Sequence, residues 1–152
     1  MNKYEHKVIQ ELFIPASIDA VWNFLMNEEK MKDWLNADKF LIDMTDGGKI
    51  EFPLSFGEEK YIILGEFSIL LLKKKYTFVW RERDIFGEEW FNCTTVNFDL
   101  EKKENGTLLK FLHDGFKYLP SDVQEQIYER YVNFWKNGGL LEKLSSLIVI
   151  DQ

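Results

Sequence analysis

The chain has 152 residues and a net charge of −7, a length that suits one domain over residues 1–152 and needs neither disulfide nor metal to bury roughly 68–70% of its unfolded surface. The acidic balance argues against nucleic acid, whose phosphates call for clustered Lys and Arg, and the short basic run "LLLKKKY" reads as a turn between strands. The longest apolar runs, "FSILLL" and "SSLIVI", are too short to cross a bilayer, so no membrane insertion is expected.

Five Trp, six Tyr and thirteen Phe are enough to build a large core, or a core with a ring-lined hole. The single cysteine, Cys93, cannot form an intrachain bridge. With the polar opening "MNKYEHKV", this leads us to expect a reducing, cytoplasmic setting.

In chain order, "EHKVIQELFI" (5–14) reads as a strand that Pro15 ends. Ser17 suits a helix N-cap, and behind it Ile18, Val21, Trp22 and Leu25 share one helical face. Asn27 caps a second short helix, "EEKMKDWL", with Met31 and Trp34 on one side. Six strands follow, at 38–44, 48–56, 60–72, 75–83, 89–102 and 107–116, with turns at "TDGGK" and "ENGT". Pro120-Ser121 opens a long last helix, with Ser121 and Gln124 in capping-box spacing. Its apolar stripe is Val123, Ile127, Tyr131, Phe134, Leu141 and Ile148. Hairpin-linked strands make an antiparallel sheet, and the helix must cover one face of it.

A two-residue turn at Asn105-Gly106 pairs Phe98 with His113, Leu100 with Phe111 and Val96 with Gly115, and sets Glu101 against Lys110 on the other face. A turn at Lys73-Lys74 pairs Leu71 with Tyr76, Ile69 with Phe78, Phe67 with Trp80 and Gly65 with Glu82. A longer turn around Gly87 brings Trp80 near Asn92 and Glu82 near Trp90. The expected inner face is therefore Gly65, Phe67, Ile69, Phe78, Trp80, Trp90, Asn92, Thr94, Val96, Phe98, Phe111 and His113. A one-residue slip would expose all its rings.

The chemistry this order permits is limited. A Ser-His-Asp triad is disfavoured, because Asp114 follows His113 on a strand and points to the opposite face, and no G-x-S-x-G elbow exists. His6 and His113 lie on distant segments without ligand spacing, so no metal is expected. Phosphate-binding glycine patterns are missing, and no cofactor is expected. His113 has three readings: a satisfied core or wall residue, a ligand contact, or a general acid–base. Glu82 is either a strand-end carboxylate reaching water or a buried one with a raised pKa. Cys93 falls on the outer face and reads as structural. Trp80, Trp90, Asn92 and Glu82 gather toward one end of the inner face, where apolar walls with a few polar groups describe a small-molecule site.

Pro15-Ala16-Ser17 with Val21-Trp22, then Trp34, Asp46-Gly47-Gly48-Lys49, Gly65, Trp80 closing "YTFVW", Gly106-Thr107 through Leu109, Phe111, His113 and Gly115, and Trp135 follow one another in an order that resembles the activator of heat-shock protein 90 ATPase homologue (AHSA-type) family of the START-like superfamily. The resemblance covers nearly the whole chain. It implies an α+β helix-grip fold: a curved antiparallel sheet of six or seven strands around a long C-terminal helix, with two short helices after the first strand. One departure stands out. The family commonly has glycine just before the tryptophan of the last helix, where this chain has Asn133-Phe134-Trp135 followed by Gly138-Gly139. Two glycines in a helix interior cost about 1–2 kcal/mol against alanine, so a bend or a close approach is expected there.

Across the superfamily the space between sheet and helix takes lipids, sterols, polyketides and other hydrophobic molecules, and a minority of members are enzymes. The resemblance thus implies a small hydrophobic ligand held by Trp34, Phe52, Phe67, Phe78, Trp80, Trp90, Asn92, His113, Tyr131 and Trp135. The alternatives are a cyclase- or hydratase-like enzyme using His113 or Glu82, and an interaction module. The last includes a chaperone accessory or a homodimer, with Leu70-Leu71-Leu72 and the C-terminal "LIVI" as candidate contacts. Fold alone does not choose among them.

Overall fold

The first strand, β1 (Val8–Ile14), ends at Pro15. The Ser17 side chain accepts from the Ala20 N–H at 3.1 Å and opens α1 (Ile18–Leu25). Asn27 does the same for Lys30 N–H at 3.1 Å, opening α2 (Glu28–Leu35). Each cap is worth about 1 kcal/mol. The buried faces carry Val21, Trp22, Phe24 and Leu25 on α1 and Met31, Trp34 and Leu35 on α2. The computed structural model describes residues 6–35, 37 and 41–151.

Six more strands follow: β2 (Leu41–Ile42), β3 (Lys49–Phe56), β4 (Glu59–Leu71), β5 (Lys75–Arg83), β6 (Thr94–Lys103) and β7 (Gly106–Asp114). They form one antiparallel sheet in the order β1-β7-β6-β5-β4-β3-β2. Residues 38–40 of the expected strand 38–44 lie outside the described residues, as does Glu5 of the first. The strand expected from residue 89 begins only at Thr94; Glu89 makes an isolated bridge to Arg83.

Both hairpin registers differ from expectation, with unequal consequences. The β6–β7 turn is Glu104-Asn105, so Lys103 pairs with Gly106, Phe98 with Phe111 and Val96 with His113. That shift is two residues, an even number, so every side chain keeps its expected face. Lys110 now faces Asp99 directly and reaches Glu101 on the diagonal at 3.5 Å.

The β4–β5 turn takes three residues, with Lys73 in the left-handed region at φ 61°. A bulge between Phe67 and Ile69 then sets Phe67 opposite Phe78, Gly65 opposite Trp80 and Ile63 opposite Glu82. One extra residue swaps the faces beyond it. Ile69, expected inside, is therefore exposed.

After β7 the chain turns at Gly115, whose φ of 100° suits glycine alone, into a 3-10 turn (Phe116–Tyr118). The expected capping box does not form. Helix α3 (Gln124–Val132) starts later, and Gln124 instead donates to the carbonyls of Leu119 at 2.7 Å and Lys117 at 3.1 Å.

The last helix is not one continuous α-helix. A π turn (Asn133–Asn137) follows α3, closed by Gly138 N–H to the Asn133 carbonyl at 2.8 Å. Gly139, at φ 68°, resets the chain for α4 (Leu140–Asp151). The inward residues are Tyr131, Trp135, Leu141, Leu144 and Ile148. Where a straight helix would next turn inward after Trp135, the chain has the glycine pair. At Gly138-Gly139, where a bend or a close approach was expected, the helix is interrupted between a widened turn and α4.

Candidate functional site

Strand alternation on β5 turns both Trp80 and Glu82 inward. Thr94 joins them from the start of β6, His113 from near the end of β7, and Trp135 from the π turn. Adjacent residues of α3, Arg130 and Tyr131, complete a buried polar chain across sheet and helix.

At one end of that chain, the Trp135 indole N–H donates to His113 Nδ1 at 2.9 Å. Nδ1 must then be the acceptor, so the neutral ring carries its proton on Nε2. Nε2 contacts Thr94 Oγ1 at 2.8 Å, and the Thr94 hydroxyl donates onward to the Trp80 carbonyl at 3.3 Å. The rings of Phe116 and Tyr131 lie 4.7 and 4.9 Å from the imidazole. His113 is fully buried, and that burial pulls its pKa down to about 3.

At the other end, Arg130 Nη2 donates to both Glu82 oxygens, at 2.8 and 2.9 Å. The Tyr131 hydroxyl donates to Glu82 Oε2, and the Trp80 indole N–H donates to the Tyr131 oxygen at 2.7 Å. The Arg130 guanidinium also lies over the rings of Phe56 and Tyr61, 4.4 and 4.6 Å from their centroids, a cation–π arrangement. Burial raises the Glu82 pKa, while the Arg130 charge and the two hydrogen bonds oppose it. Burial, the largest single influence, lowers that of Arg130, but the Glu82 charge, Tyr131, the hydrogen bonds to Glu82, and Tyr61 together outweigh it and the net shift is upward. Tyr131 is raised well above its ordinary value by burial and by Glu82.

Of the residues expected to line a ligand space, Trp34, Phe52, Phe67, Phe78, Trp80, His113, Tyr131 and Trp135 are all buried. They meet one another ring to ring: Phe52 on Trp80 at 5.6 Å, Phe67 on Phe78 at 5.9 Å, Trp34 on Phe98 at 5.9 Å. Trp90, half-buried, reaches Tyr131 at 6.4 Å. Asn92, like Ile69, departs from the expected inner face. It precedes the strand, is exposed, and donates to the Tyr118 carbonyl at 2.8 Å. Among the described residues no group of three or more His, Cys, Asp or Glu could hold a metal, and no helix is long and apolar enough to cross a membrane.

Sequence reasoning missed Arg130, because it follows the polar side of the helix pattern. A signal was present: a carboxylate expected to face inward at Glu82 demands a cation. It also missed a cleft of about 620 Å³ between the end of α2, strand β3 and the π turn. Leu35, Ala37, Pro53, Leu54, Phe134 and Leu140 give it apolar walls, with Ser55, Lys60, Asn133, Gly138 and Lys143 around them. The Phe134 ring touches Trp135 at 4.9 Å and Phe56 at 5.7 Å. Phe134 thus links the cleft lining to the aromatic interior.

The fold is shared with solved structures. Protein MLL2253 from Mesorhizobium loti superposes with a TM-score of 0.74 at 20% identity, covering 96% of this chain and 98% of the other. The Aha1 dimer from Colwellia psychrerythraea gives 0.61 at 18% identity, covering 93% and 95%. DynU16, a protein of the dynemicin biosynthetic locus, gives 0.63 at 19% identity over 92% of this chain and 47% of the other. No curated protein matches the chain by sequence. Residues 15–134 match the family described as Activator of Hsp90 ATPase homolog 1-like protein, and the chain, with its seven-stranded sheet gripping a C-terminal helix, belongs to that family.

Proposed function

We propose that the protein binds a small hydrophobic molecule, lipid-like, aromatic or polyketide-like, between the sheet and the C-terminal helix, with the cleft beside the π turn as its entrance. The carrying observation is that cleft: about 620 Å³, lined by Leu35, Ala37, Pro53, Leu54, Phe134 and Leu140 together with a few polar groups. Ligand pockets are of this size and lining. None of the ten residues expected to hold the ligand lines this cleft; Phe134, which does, packs on Trp135 of that set at 4.9 Å. The free Cys93 suits a reducing compartment such as the cytoplasm. An acid–base enzyme in the same place would need His113 or Glu82 to meet a substrate. Both are engaged by protein partners, so the geometry favours binding over turnover.

Thermal shift with long-chain alcohols, aromatic acids and polyketide-like phenols tests this. A true ligand at a hundredfold excess over Kd stabilises by about 2.7 kcal/mol, which is about 5–10 °C for a chain of this size. Leu140→Arg, a half-buried position on the cleft wall, should abolish the shift. If no compound shifts the transition, or the shift survives Leu140→Arg, the reading fails.

A second reading is self-association. Leu71, Leu72 and Ile150 are 52%, 71% and 78% exposed, and the Colwellia relative is a dimer. Light scattering decides it: a monomer mass at 100 μM would sink this reading.

A further inference from the structure

We infer that the molecule bound in the cleft carries an anionic head, a carboxylate on an apolar body; this rests on the cleft being the binding site. The chain has 26 acidic and 19 basic residues, yet among the described residues no Asp or Glu lines the cleft, whereas Lys60 and Lys143 do. Neither lysine forms an ion pair among the described residues. Among the described residues Lys143 Nζ meets the Asp33 backbone carbonyl, at 3.4 Å, and Lys60 is exposed.

The asymmetry is local. A neighbouring cavity of about 420 Å³ is lined by Glu58, Glu59 and Asp84, and Lys60 stands on the wall between the two. Among the described residues, Lys60 thus lines both spaces, Lys143 only the apolar cleft, and Glu58, Glu59 and Asp84 only the other. Two unpaired ammonium groups beside buried Leu35 and Leu54 match a molecule with an apolar body and one negative end. Lysine suits this role as a compact charge at the end of a flexible stem, able to follow a head group whose tail fixes its position.

The test is titration of the full chain with decanoate, decanol and decyltrimethylammonium, each below its micelle concentration, followed by tryptophan fluorescence and calorimetry. Decanoate should bind about tenfold tighter than decanol and tighter still than the cation. That preference should shrink in 0.5 M salt, where screening shortens to a few ångströms. The Lys60→Gln/Lys143→Gln variant, altered only at exposed positions, should lose about tenfold for decanoate and nothing for decanol. Equal affinity for decanoate and decanol, or an equal loss of both in the variant, overturns the head-group inference and leaves the cleft reading standing. Failure of all three probes to bind the unaltered chain overturns both.

Discussion

His113 and Glu82 point inward from the same sheet, both are buried, and both lie in the polar chain that runs through Trp80, Tyr131 and Trp135. Their fates differ because their partners differ. His113 meets neutral dipoles, an indole N–H and a threonine hydroxyl, so nothing offsets the cost of charging it and it stays neutral. Glu82 meets a full positive charge held between two aromatic rings. Arg130 cannot give up its proton, and its contact with both carboxylate oxygens is the geometry of an ion pair. Burial pushes both residues toward the neutral form, and only Glu82 has a charged neighbour that opposes it.

The contrast breaks most visibly at Arg130. Arg130→Met leaves the Glu82 carboxylate buried without its cation and should cost about 3–5 kcal/mol at pH 7 by urea unfolding. The deficit should shrink as pH falls, because protonating Glu82 removes the stranded charge. Adding Glu82→Gln should recover most of it, and a single-variant cost below about 1 kcal/mol would show that the pair is not coupled.

Next in size is the pH response at the other end. The folded pKa of His113 is about 3, against roughly 6.5 in the unfolded chain. Its contribution is complete above the unfolded value and is lost as pH falls from there toward the folded one. The slope approaches about 1.4 kcal/mol per unit, roughly 3 kcal/mol by pH 4. Glu82, with its pKa raised, acts in the opposite sense, its contribution fading as pH rises through the folded value. NMR titration of the His113 ring separates the two. A midpoint near 6 would mean that its partners do not hold it neutral.

Trp135→Phe keeps a ring but removes the donor to Nδ1. It should cost about 1–3 kcal/mol and move the His113 midpoint upward. An unchanged midpoint would deny the indole its part in fixing the tautomer. The smallest effect is a control at a distance. Ser17→Ala removes the α1 cap for about 1 kcal/mol. It should add to Arg130→Met within about 0.5 kcal/mol, and a larger departure would mean that the network reaches the other end of the fold.

Much of this was legible in the residues. Ser17 and Asn27 announce their helices, and the face of His113 survives a misjudged turn because the error is even. The Ile69 error came from a bulge that only packing reveals, since nothing in "FSILLL" marks the extra residue. Asn92 was misplaced because strand alternation was continued through "EEWFNC", a loop held by contacts with distant Arg83 and Tyr118. Gly138-Gly139 flagged irregularity without naming the π turn. The cleft was hidden for a different reason: Leu35, Leu54 and Leu140 are unremarkable singly and meet only through tertiary placement.

Strand order has a consequence for how the chain acquires its shape. Val8 pairs with His113, about a hundred residues away, so the first strand made waits for the last before it has a neighbour. Strands β2 to β6 form a meander of sequential hairpins and can assemble locally. Pairing of β1, and with it burial of Ile14 and Leu109, needs the chain through β7 to be available. Topologies dominated by such distant pairings fold in milliseconds to seconds. During that interval β1 and its exposed Ile9 and Phe13 are an unpaired edge. This segment is where a folding helper, or aggregation, would act first.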